Sequence, residues 1–545
     1  MRRIVLFVCL AWGAAVCEAD PVLDFVYPAG GSPGSEFEVE VGGSSLEELT
    51  QAVVSGDGVK ATLLGPVRSV TYTKKGRAVP SVVPNRFRFK VVVEKEAAPG
   101  LRALRVSSAY RLSEPVGFEI AAMPEACEPV TNRAAGSDLA VAALPVCLNG
   151  RIYGMRGDRY RFQATKGMTV VAFTEAGALP PGAFFPALTF LDGAGAPCEG
   201  VKAYDTATAP VLAFEVPQDG AYTLEVKSAV PVAGDACVYR VKLGELPLVT
   251  GFTPAEADEG ESLNVTVEGY NLPQKRVRLF TGGKNSALCL EALANGAFVL
   301  PALRFDLSGE AGKPDFKASM TPASLNIPAD GSDLVTVRLQ RLNGFEGEVR
   351  VRLDFPPLSI ACEGGVIPAG ETSCLMTVST DGVRFPRTVF GLSLTASAEI
   401  DGRQVKRAVL PVRMAGEEGR GKKQTFGELA ARATAGLRAL RLNVAANTPV
   451  KVPLSEPVRL MVLSPNLATH LGGLYEPVVV YPPSGFSVQG VQRTNKQERA
   501  AIMLKANPKI LRPGDTGQLI LGCVQKGDAS RTVMAVTQSV PFVVK

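Results

Sequence analysis

Two matching stretches of sequence decide the fold: residues 28–46, PAGGSPGSEFEVEVGGSSL, and residues 254–272, PAEADEGESLNVTVEGYNL. They align without a gap when the chain is shifted by 226 residues (254 minus 28). The matched positions are turn glycines and alternating apolar residues, namely Gly34 with Gly260, Phe37 with Leu263, Val39 with Val265, Val41 with Val267 and Gly43 with Gly269. Apolar residues at every second position are typical of a strand that buries one face. The sequence therefore predicts two copies of one β unit, on either side of a different unit.

The same alternation recurs along the rest of the chain. Residues 348–353, EVRVRL, predict a half-buried strand, and Asn343-Gly344 just before them is typical of a tight turn. Residues 212–226, LAFEVPQDGAYTLEV, predict a β-hairpin that turns at Asp219-Gly220. Short strands separated by turn signals indicate an all-β protein built from tandem antiparallel β-sandwich domains.

The composition is that of a folded protein with several domains. The chain has 545 residues, and one domain usually takes about 100–150. Hydrophobic residues make up 46% and charged residues 20%, which excludes general disorder. The net charge of +5 is small for this length and gives no reason to expect nucleic acid or an anionic membrane as a partner. The single histidine argues against Ser-His-Asp, Cys-His and multi-histidine zinc sites.

The N-terminus predicts a secretory signal peptide over residues 1–19. Arg2 and Arg3 precede an apolar stretch, Ile4 to Val16, which is too short to span a membrane. Cleavage after Ala19 would start the mature chain at Asp20; cleavage after Ala15, or lipidation of Cys17, are the alternatives. We therefore expect an exported protein that is periplasmic, surface-bound or secreted and has no transmembrane segment. The signal peptide contains Trp12, the only tryptophan, so a sugar-binding platform of tryptophans is disfavoured.

Export permits disulfide bonds among the cysteines that follow the signal peptide. These eight cysteines, Cys127, Cys147, Cys198, Cys237, Cys289, Cys362, Cys374 and Cys523, allow about 105 pairings. Proximity in sequence favours Cys362 with Cys374, then Cys127 with Cys147 and Cys198 with Cys237. Free buried thiols are the alternative.

Four segments resemble parts of two known domain families. Residues 22–46 and 249–272 resemble the start of IPT/TIG-type immunoglobulin-like domains. Residues 148–167 and the stretch Pro217 to Tyr222 resemble a bacterial pre-peptidase C-terminal (PPC-like) domain. Their order resembles exported multidomain proteins of planctomycete-type bacteria. The resemblance implies non-catalytic sandwiches that accompany secreted enzymes or form surface proteins.

Strand patterns and this resemblance together suggest a division of the chain. We expect immunoglobulin-like domains at 20–120 and 246–313, a PPC-like sandwich at 121–245, a further immunoglobulin-like sandwich at 314–413 and a C-terminal sandwich at 445–545. Residues 414–444 break the β pattern. Thr425 and Glu428 have the spacing of a helix capping box, and the apolar residues that follow have helical spacing, so a linker and a short helix are predicted there.

Several short motifs could carry chemistry, but each has a simpler structural explanation. Gly30-Gly31-Ser32-Pro33-Gly34 satisfies the G-x-S-x-G pattern, yet a strand is predicted after it and not the helix that a nucleophile elbow needs. Arg156-Gly157-Asp158 spells an adhesion tripeptide but is expected to form a turn. His470 is expected in a loop, and Asn264-Val265-Thr266 is a glycosylation sequon on a predicted strand.

No cofactor is predicted. Calcium is the weak alternative, because Asp192, Asp205 and Asp219 lie in the PPC-like region and carboxylates are calcium ligands. No catalytic residues are assigned. The sequence favours a non-enzymatic binding or scaffolding protein whose partner is an envelope or extracellular protein or polysaccharide. The alternatives are an accessory subunit of a separately encoded secreted hydrolase and a glycoside hydrolase that uses two carboxylates.

Overall fold

A computed structural model describes most of the chain. It covers residues 20–545 except 73–77, 129–137, 154–155, 175–184, 205–209, 259, 283, 285, 309–312, 382–387, 416–421, 435–442, 446–447, 464–474, 483, 494–498 and 529–532. The predicted signal peptide, His470 and Asp205 lie outside the described residues.

Unit 1, residues 22–120, is a β-sandwich. Its strands are β1 (Val22–Tyr27), β2 (Gly30–Gly31), β3 (Glu36–Ser44), β4 (Gln51–Val54), β5 (Val59–Tyr72), β6 (Ala78–Val93), β7 (Gly100–Ser107) and β8 (Val116–Ile120). One sheet has the order β1-β3-β6-β5 and the other the order β2-β8-β7-β4. Val39, Val41, Phe89 and Val91 alternate along β3 and β6 and are buried between the sheets.

Unit 2, residues 125–244, is a second sandwich. Its strands are β9 (Glu125–Cys127), β10 (Asp138–Ala140), β11 (Val146–Arg151), β12 (Asp158–Ala164), β13 (Thr169–Thr174), β14 (Pro186–Leu191), β15 (Lys202–Tyr204), β16 (Val211–Glu215), β17 (Gly220–Ser228) and β18 (Val238–Gly244). The sheets have the orders β10-β12-β17-β14 and β15-β16-β13-β18-β11-β9.

Unit 3, residues 248–308, combines strands with a helix. It contains β19 (Leu248–Thr253), β20 (Glu256–Asp258), β21 (Ser262–Tyr270), β22 (Arg276–Phe280), α1 (Ser286–Ala294), β23 (Phe298–Val299) and β24 (Asp306–Ser308). One sheet has the order β22-β21-β19-β23, and β20 pairs with β24. The helix packs Cys289 and Leu293 into the core of the unit.

Unit 4, residues 315–434, has its own apolar core. Its strands are β25 (Asp315–Thr321), β26 (Ser324–Pro328), β27 (Ser332–Leu342), β28 (Val349–Asp354), β29 (Ile360–Gly364), β30 (Val366–Ile367), β31 (Ser373–Thr380), β32 (Phe390–Ile400), β33 (Arg403–Ala415), β34 (Lys422–Thr425) and β35 (Leu429–Thr434).

Unit 5, residues 443–544, also has a separate core. Its strands are β36 (Asn443–Val444), β37 (Val450–Val452), β38 (Val458–Leu463), β39 (Tyr475–Tyr481), β40 (Phe486–Arg493), β41 (Arg499–Ala506), β42 (Thr516–Gln525), β43 (Val533–Val536) and β44 (Val540–Val544). Ser332 of β27 pairs with Val536 of β43, which joins the sheets of units 4 and 5.

The internal repeat has a structural counterpart. The bounds of β1 and β3 in unit 1 become those of β19 and β21 in unit 3 when 226 is added to each residue number. Both pairs are antiparallel, with a bulge at Leu23/Phe25 and at Val249/Gly251. A Cβ atom at Gly43 would overlap the carbonyl of Val22, and one at Gly269 would overlap the equivalent carbonyl of Leu248. The shared glycines therefore permit the same close approach of two strands.

The all-β fold class is confirmed, but two local predictions are wrong. Residues 422–425 and 429–434 are strands, where a linker and helix were expected. Strand β35 pairs with β26 and β32, and its alanines are buried on both faces, so tertiary pairing overrides helix propensity. The expected hairpin of residues 212–226 is also absent: β16 pairs with β13 while β17 pairs with β12, in opposite sheets.

The units do not form an open string. Units 1 and 2 share one continuous apolar core, and Phe173 of unit 2 stacks on Phe298 of unit 3 with ring centroids 4.1 Å apart. Unit 1 also contacts unit 4, because Arg105 donates a hydrogen bond to Ser324. Unit 1 is thus held by its neighbour in sequence and by a unit two places further along. The domain boundaries expected from the sequence stay predictions.

Candidate functional site

The predicted disulfides are not formed. Among the cysteines that the structure describes, no disulfide bond is present. Cys362 of β29 lies opposite Val378 of β31, and Cys374 lies in β31 itself. Four residues of β31 (378 minus 374) therefore separate the two cysteines along the strand direction. This corresponds to about 13 Å along the strand, whereas a disulfide needs Cα atoms within about 7 Å.

The other two predicted pairs are separated as well. Cys127 lies opposite Asn149 in parallel strands, so Cys147 is two residues out of register and about 8 Å away. The amide of Cys198 donates to Phe190 of β14, while the carbonyl of Cys237 accepts from Ile152 beside β11. Strands β14 and β11 belong to opposite sheets, so the structure gives no bonded pair among these cysteines.

Thiol counting tests this arrangement. Alkylation of the denatured, non-reduced chain beginning at Asp20 should add eight maleimide groups. In the folded protein Cys127 should react first, because its side chain is exposed. Burial raises the pKa of Cys362, Cys374 and Cys523 to about 12, which keeps the nucleophilic thiolate scarce. A disulfide would instead show as two missing maleimide adducts, with the remaining mass lower by two hydrogen atoms than that of the chain with free thiols.

The remaining sequence motifs lie in turns or on strands. Ser32 is in a turn between β2 and β3, not at a strand-to-helix turn. Asp158 of the adhesion tripeptide is 2% exposed, and its Oδ2 accepts a hydrogen bond of 2.7 Å from Tyr239. The tripeptide is therefore not presented to a receptor. Asn264 is exposed on β21.

The two described aspartates considered for calcium stabilise loops. Oδ1 of Asp192 accepts from the amides of Ala194 and Ala196, both at 2.9 Å. Oδ1 of Asp219 accepts from the amide of Lys166 at 2.7 Å. Within the described ranges, no three His, Cys, Asp or Glu side chains are grouped as they would be around a metal ion. In the same ranges no helix has the length and apolar character needed to cross a membrane.

The junction of units 1 and 2 is a buried ion-pair cluster centred on Arg240. Arg240, 2% exposed, donates from Nε to Oε2 of Glu119 at 3.0 Å. Its Nη2 donates to Oε1 of Glu125 at 2.8 Å, and its Nη1 to Oδ1 of Asn149 at 2.6 Å. Nζ of Lys242 lies 2.6 Å from the other oxygen of Glu119. One carboxylate of unit 1 is thus held by two cations of unit 2.

The charges in this cluster stabilise each other. Burial by itself raises the pKa of Glu119, but Arg240 and Lys242 outweigh burial and hold it below its ordinary value. Burial also lowers the pKa of Arg240, while Cys147, Glu125 and Glu119 raise it above its ordinary value. Gly30 is part of this contact, because a Cβ atom there would overlap the guanidinium of Arg240. The G-x-S-x-G stretch therefore serves packing between units.

Arg151 forms a second contact between units 1 and 2. Its guanidinium lies 4.0 Å from the ring centroid of Tyr27 and 5.0 Å from that of Phe25. Its Nη1 donates to the hydroxyl of Tyr153 at 2.9 Å. Arg86 of unit 1 forms an ion pair with Asp235 of unit 2. Cation–π contacts of this kind are strongest away from water, as here.

The junction of units 1 and 4 is also polar and buried. Arg105, 1% exposed, donates from Nε to Ser324 Oγ at 2.8 Å and from Nη2 to the carbonyl of Ala323 at 3.0 Å. Glu114 accepts hydrogen bonds from the amides of Ala323 and Ser324 at 3.1 and 2.8 Å. Arg432 adds a bond of 2.7 Å to Ser107. Unit 4 therefore presents backbone groups that unit 1 caps with charged side chains.

Burial governs the electrostatics of this second junction. Burial lowers the pKa of Arg105 to about 10, and the nearby carboxylates Glu114 and Glu428 oppose this shift. Burial raises the pKa of Glu114, while hydrogen bonds from the Ala323 and Ser324 amides oppose the rise. Removing Arg105 would leave Glu114 buried with the two amide hydrogen bonds and with Arg413 as the remaining nearby cation.

A polar groove of about 620 Å³ lies on the outer face of unit 4. Its lining residues are Glu348, Arg350, Ser397, Ala398, Glu399, Gly402 and Gln404. Arg350 lies opposite Ser397, and Gln404 opposite Glu399, so the groove crosses three neighbouring strands. Nε of Arg350 donates to Glu348 at 2.8 Å. The groove, which we call the unit 4 groove, offers carboxylate, amide, hydroxyl and guanidinium groups to a ligand.

The junction and groove residues were not among the predicted sites. In β18 the alternation Val238-Tyr239-Arg240-Val241-Lys242-Leu243 marks Arg240 and Lys242 as facing away from the core of unit 2. Residues that face solvent follow the same alternation, so this pattern does not distinguish a junction residue from a surface residue. A signal could have come from Gly30, because a glycine beside a strand often marks close backbone approach.

No protein-family model and no curated protein matches the chain. Among solved structures, domains 5–6 of the S-layer protein SbsC are similar at 11% identity and a TM-score of 0.18, over 43% of this chain and 99% of that one. The D00-D0 domain of intimin matches at 12% identity and a TM-score of 0.15, over 42% and 99%. The extracellular region of plexin A4 matches at 9% identity and a TM-score of 0.14, over 94% and 49%. At these scores the likenesses carry no argument about function.

Proposed function

We propose that the protein is an exported, non-enzymatic scaffold that holds ligand-binding surfaces in a fixed arrangement. The buried polar junctions carry this proposal: unit 1 is fixed to unit 2 through Arg240 and to unit 4 through Arg105. Domains move relative to each other unless their interface is large and apolar, and units 1 and 2 share one continuous apolar core. Side chains with 1–2% exposure at both junctions favour one rigid body instead.

We propose the unit 4 groove as a binding site for a polysaccharide. Its volume of about 620 Å³ is within the range of about 300–1,000 Å³ of small-ligand sites. Sugar hydroxyls both donate and accept hydrogen bonds, and Glu399, Gln404 and Arg350 supply both kinds of partner. Glu348 and Glu399 are exposed to water. A general acid of a glycoside hydrolase needs a shielded environment, so their exposure supports binding over catalysis.

Binding assays on insoluble polysaccharides test this function. The purified chain beginning at Asp20 is mixed with cellulose, chitin, peptidoglycan or calcium alginate, and the bound fraction is measured. Glu399→Gln should weaken binding to the preferred polysaccharide by about tenfold, because one charged hydrogen bond is lost. Glu38→Gln, at an exposed glutamate of unit 1, is the matched control and should bind like the native chain.

The same samples distinguish binding from hydrolysis. Release of reducing sugar is measured in parallel, and we expect none from the native chain. If sugar is released, and Glu348→Gln or Glu399→Gln abolishes release while binding remains, the protein is a carboxylate-dependent hydrolase and the proposal is wrong. Failure of Glu399→Gln to weaken binding would remove the groove as the site.

A further inference from the structure

One loop of unit 4 presents apolar side chains directly to water. Phe355 is 100% exposed and Leu358 is 86% exposed, and they belong to the sequence Phe355-Pro356-Pro357-Leu358 after β28. The backbone of Phe355 has a φ of 44°, an uncommon left-handed conformation for an aromatic residue. Left-handed backbone at residues other than glycine is strained, and such strain tends to occur at functional sites. We call these four residues the Phe355 loop.

The base of the loop is fixed on both sides. Thr395 Oγ1 donates to Oδ2 of Asp354 at 2.7 Å, immediately before the loop. The amide of Ile360 donates to the carbonyl of Pro357 at 3.1 Å, and Ile360 itself is buried. Prolines also restrict the loop backbone. The loop is thus preorganised before it binds a partner, which lowers the entropic cost of binding.

We propose that the Phe355 loop inserts into the surface of a phospholipid bilayer. A convex apolar tip suits lipid, which needs no preformed pocket. Pro356 and Pro357 have no N–H group, so half of the loop brings no amide donor that would remain unpaired in an apolar phase. Arg352 is exposed on β28, the strand that leads into the loop. From there it can contact lipid headgroups while the tip is inserted. The protein would then be attached to a membrane surface, which goes beyond scaffolding.

Tryptophan fluorescence provides a direct test. The chain beginning at Asp20 contains no tryptophan, so Phe355→Trp introduces a single reporter at the tip. With phosphatidylcholine vesicles, emission should move to shorter wavelength as the indole leaves water, and added phosphatidylglycerol should strengthen binding through Arg352. Leu358→Ser in the Phe355→Trp background should weaken vesicle affinity by about tenfold or more, because Leu358 then no longer buries an apolar side chain in the bilayer.

Controls separate insertion from general adhesion. Leu64→Trp places the reporter at another exposed apolar position, 52% exposed on β5 of unit 1, and its emission should not change with vesicles. Unchanged emission of Phe355→Trp with both kinds of vesicle would overturn the proposal. The alternative would then be that the Phe355 loop inserts into a pocket of a partner protein. An equal shift for Leu64→Trp, or undiminished affinity after Leu358→Ser, would overturn it too. The melting temperature should be the same for all variants, because none of these side chains is buried.

Discussion

Replacing Arg240 by alanine should destabilise the joined units 1 and 2 by about 3–5 kcal/mol. The substitution leaves Glu119 and Glu125 in the buried junction without their shared guanidinium. Hydrogen–deuterium exchange measures the effect locally. Amides of β8 and β18, one from each unit, should exchange faster than in the native chain. Lys242 remains beside Glu119, so the loss should fall short of complete separation of the units.

Two matched variants make the Arg240 experiment decisive. Arg88→Ala removes an exposed arginine that lies 3.6 Å from Glu38 in unit 1, and it should change stability by no more than about 1 kcal/mol. Arg240→Met combined with Glu125→Gln should recover part of the loss, because Glu125 is the carboxylate left without a cation while Lys242 still pairs with Glu119. Exchange rates for Arg240→Ala that match those of Arg88→Ala would show that the junction is not structural.

Replacing Arg105 by alanine should loosen the junction of units 1 and 4, where Arg413, Arg432 and Asn326 still form hydrogen bonds to unit 1. The change removes hydrogen bonds to Ser324 and to the carbonyl of Ala323, and it removes one of the two buried cations that act on Glu114. Each charged hydrogen bond contributes about 1.5–3 kcal/mol, so the loss of two should cost about 3–6 kcal/mol at this junction. Small-angle scattering should report a modestly larger radius of gyration, because the weaker junction lets unit 4 move away from unit 1 in part of the molecules.

The control for this experiment lies on the outer face of unit 4. Arg350→Ala removes an exposed arginine whose partner, Glu348, is also exposed, so the radius of gyration should stay unchanged. Glu114→Gln keeps one acceptor for the amides of residues 323 and 324 and should loosen the junction less than Arg105→Ala. An unchanged radius for Arg105→Ala, with the fold intact, would show that Arg105 is not needed to hold unit 4 against unit 1, contrary to this prediction.

Local pattern predicted the strands well because alternation is a property of each segment alone. The repeat of residues 28–46 at 254–272 gave strands with matching bounds, down to the bulges at Leu23/Phe25 and Val249/Gly251. Pairing could not be obtained in this way. The strands within residues 212–226 were expected to form a hairpin, but they lie in opposite sheets, since alternation does not say which strand is opposite.

The wrong helix prediction in residues 414–444 and the missed junctions have a related cause. The segment Leu429–Thr434 has helix-forming alanines, but their small size allows a strand to be covered on both faces between units 1 and 4. The helix at Ser286–Ala294 is rich in alanine and leucine and ends before Asn295-Gly296, a recognisable stop signal. Arg105 and Arg240 resemble surface residues in sequence, because the covering surface comes from residues more than 100 positions away.

The contact of unit 1 with unit 4 also constrains the order of assembly. Synthesis proceeds from the N-terminus, so unit 1 emerges first and can build its own sheets at once. Arg105, however, must wait for Ser324, which lies 219 residues later in the chain. Until then its guanidinium has no protein partner at this face, and the nascent chain exposes an unfinished surface that a chaperone could recognise.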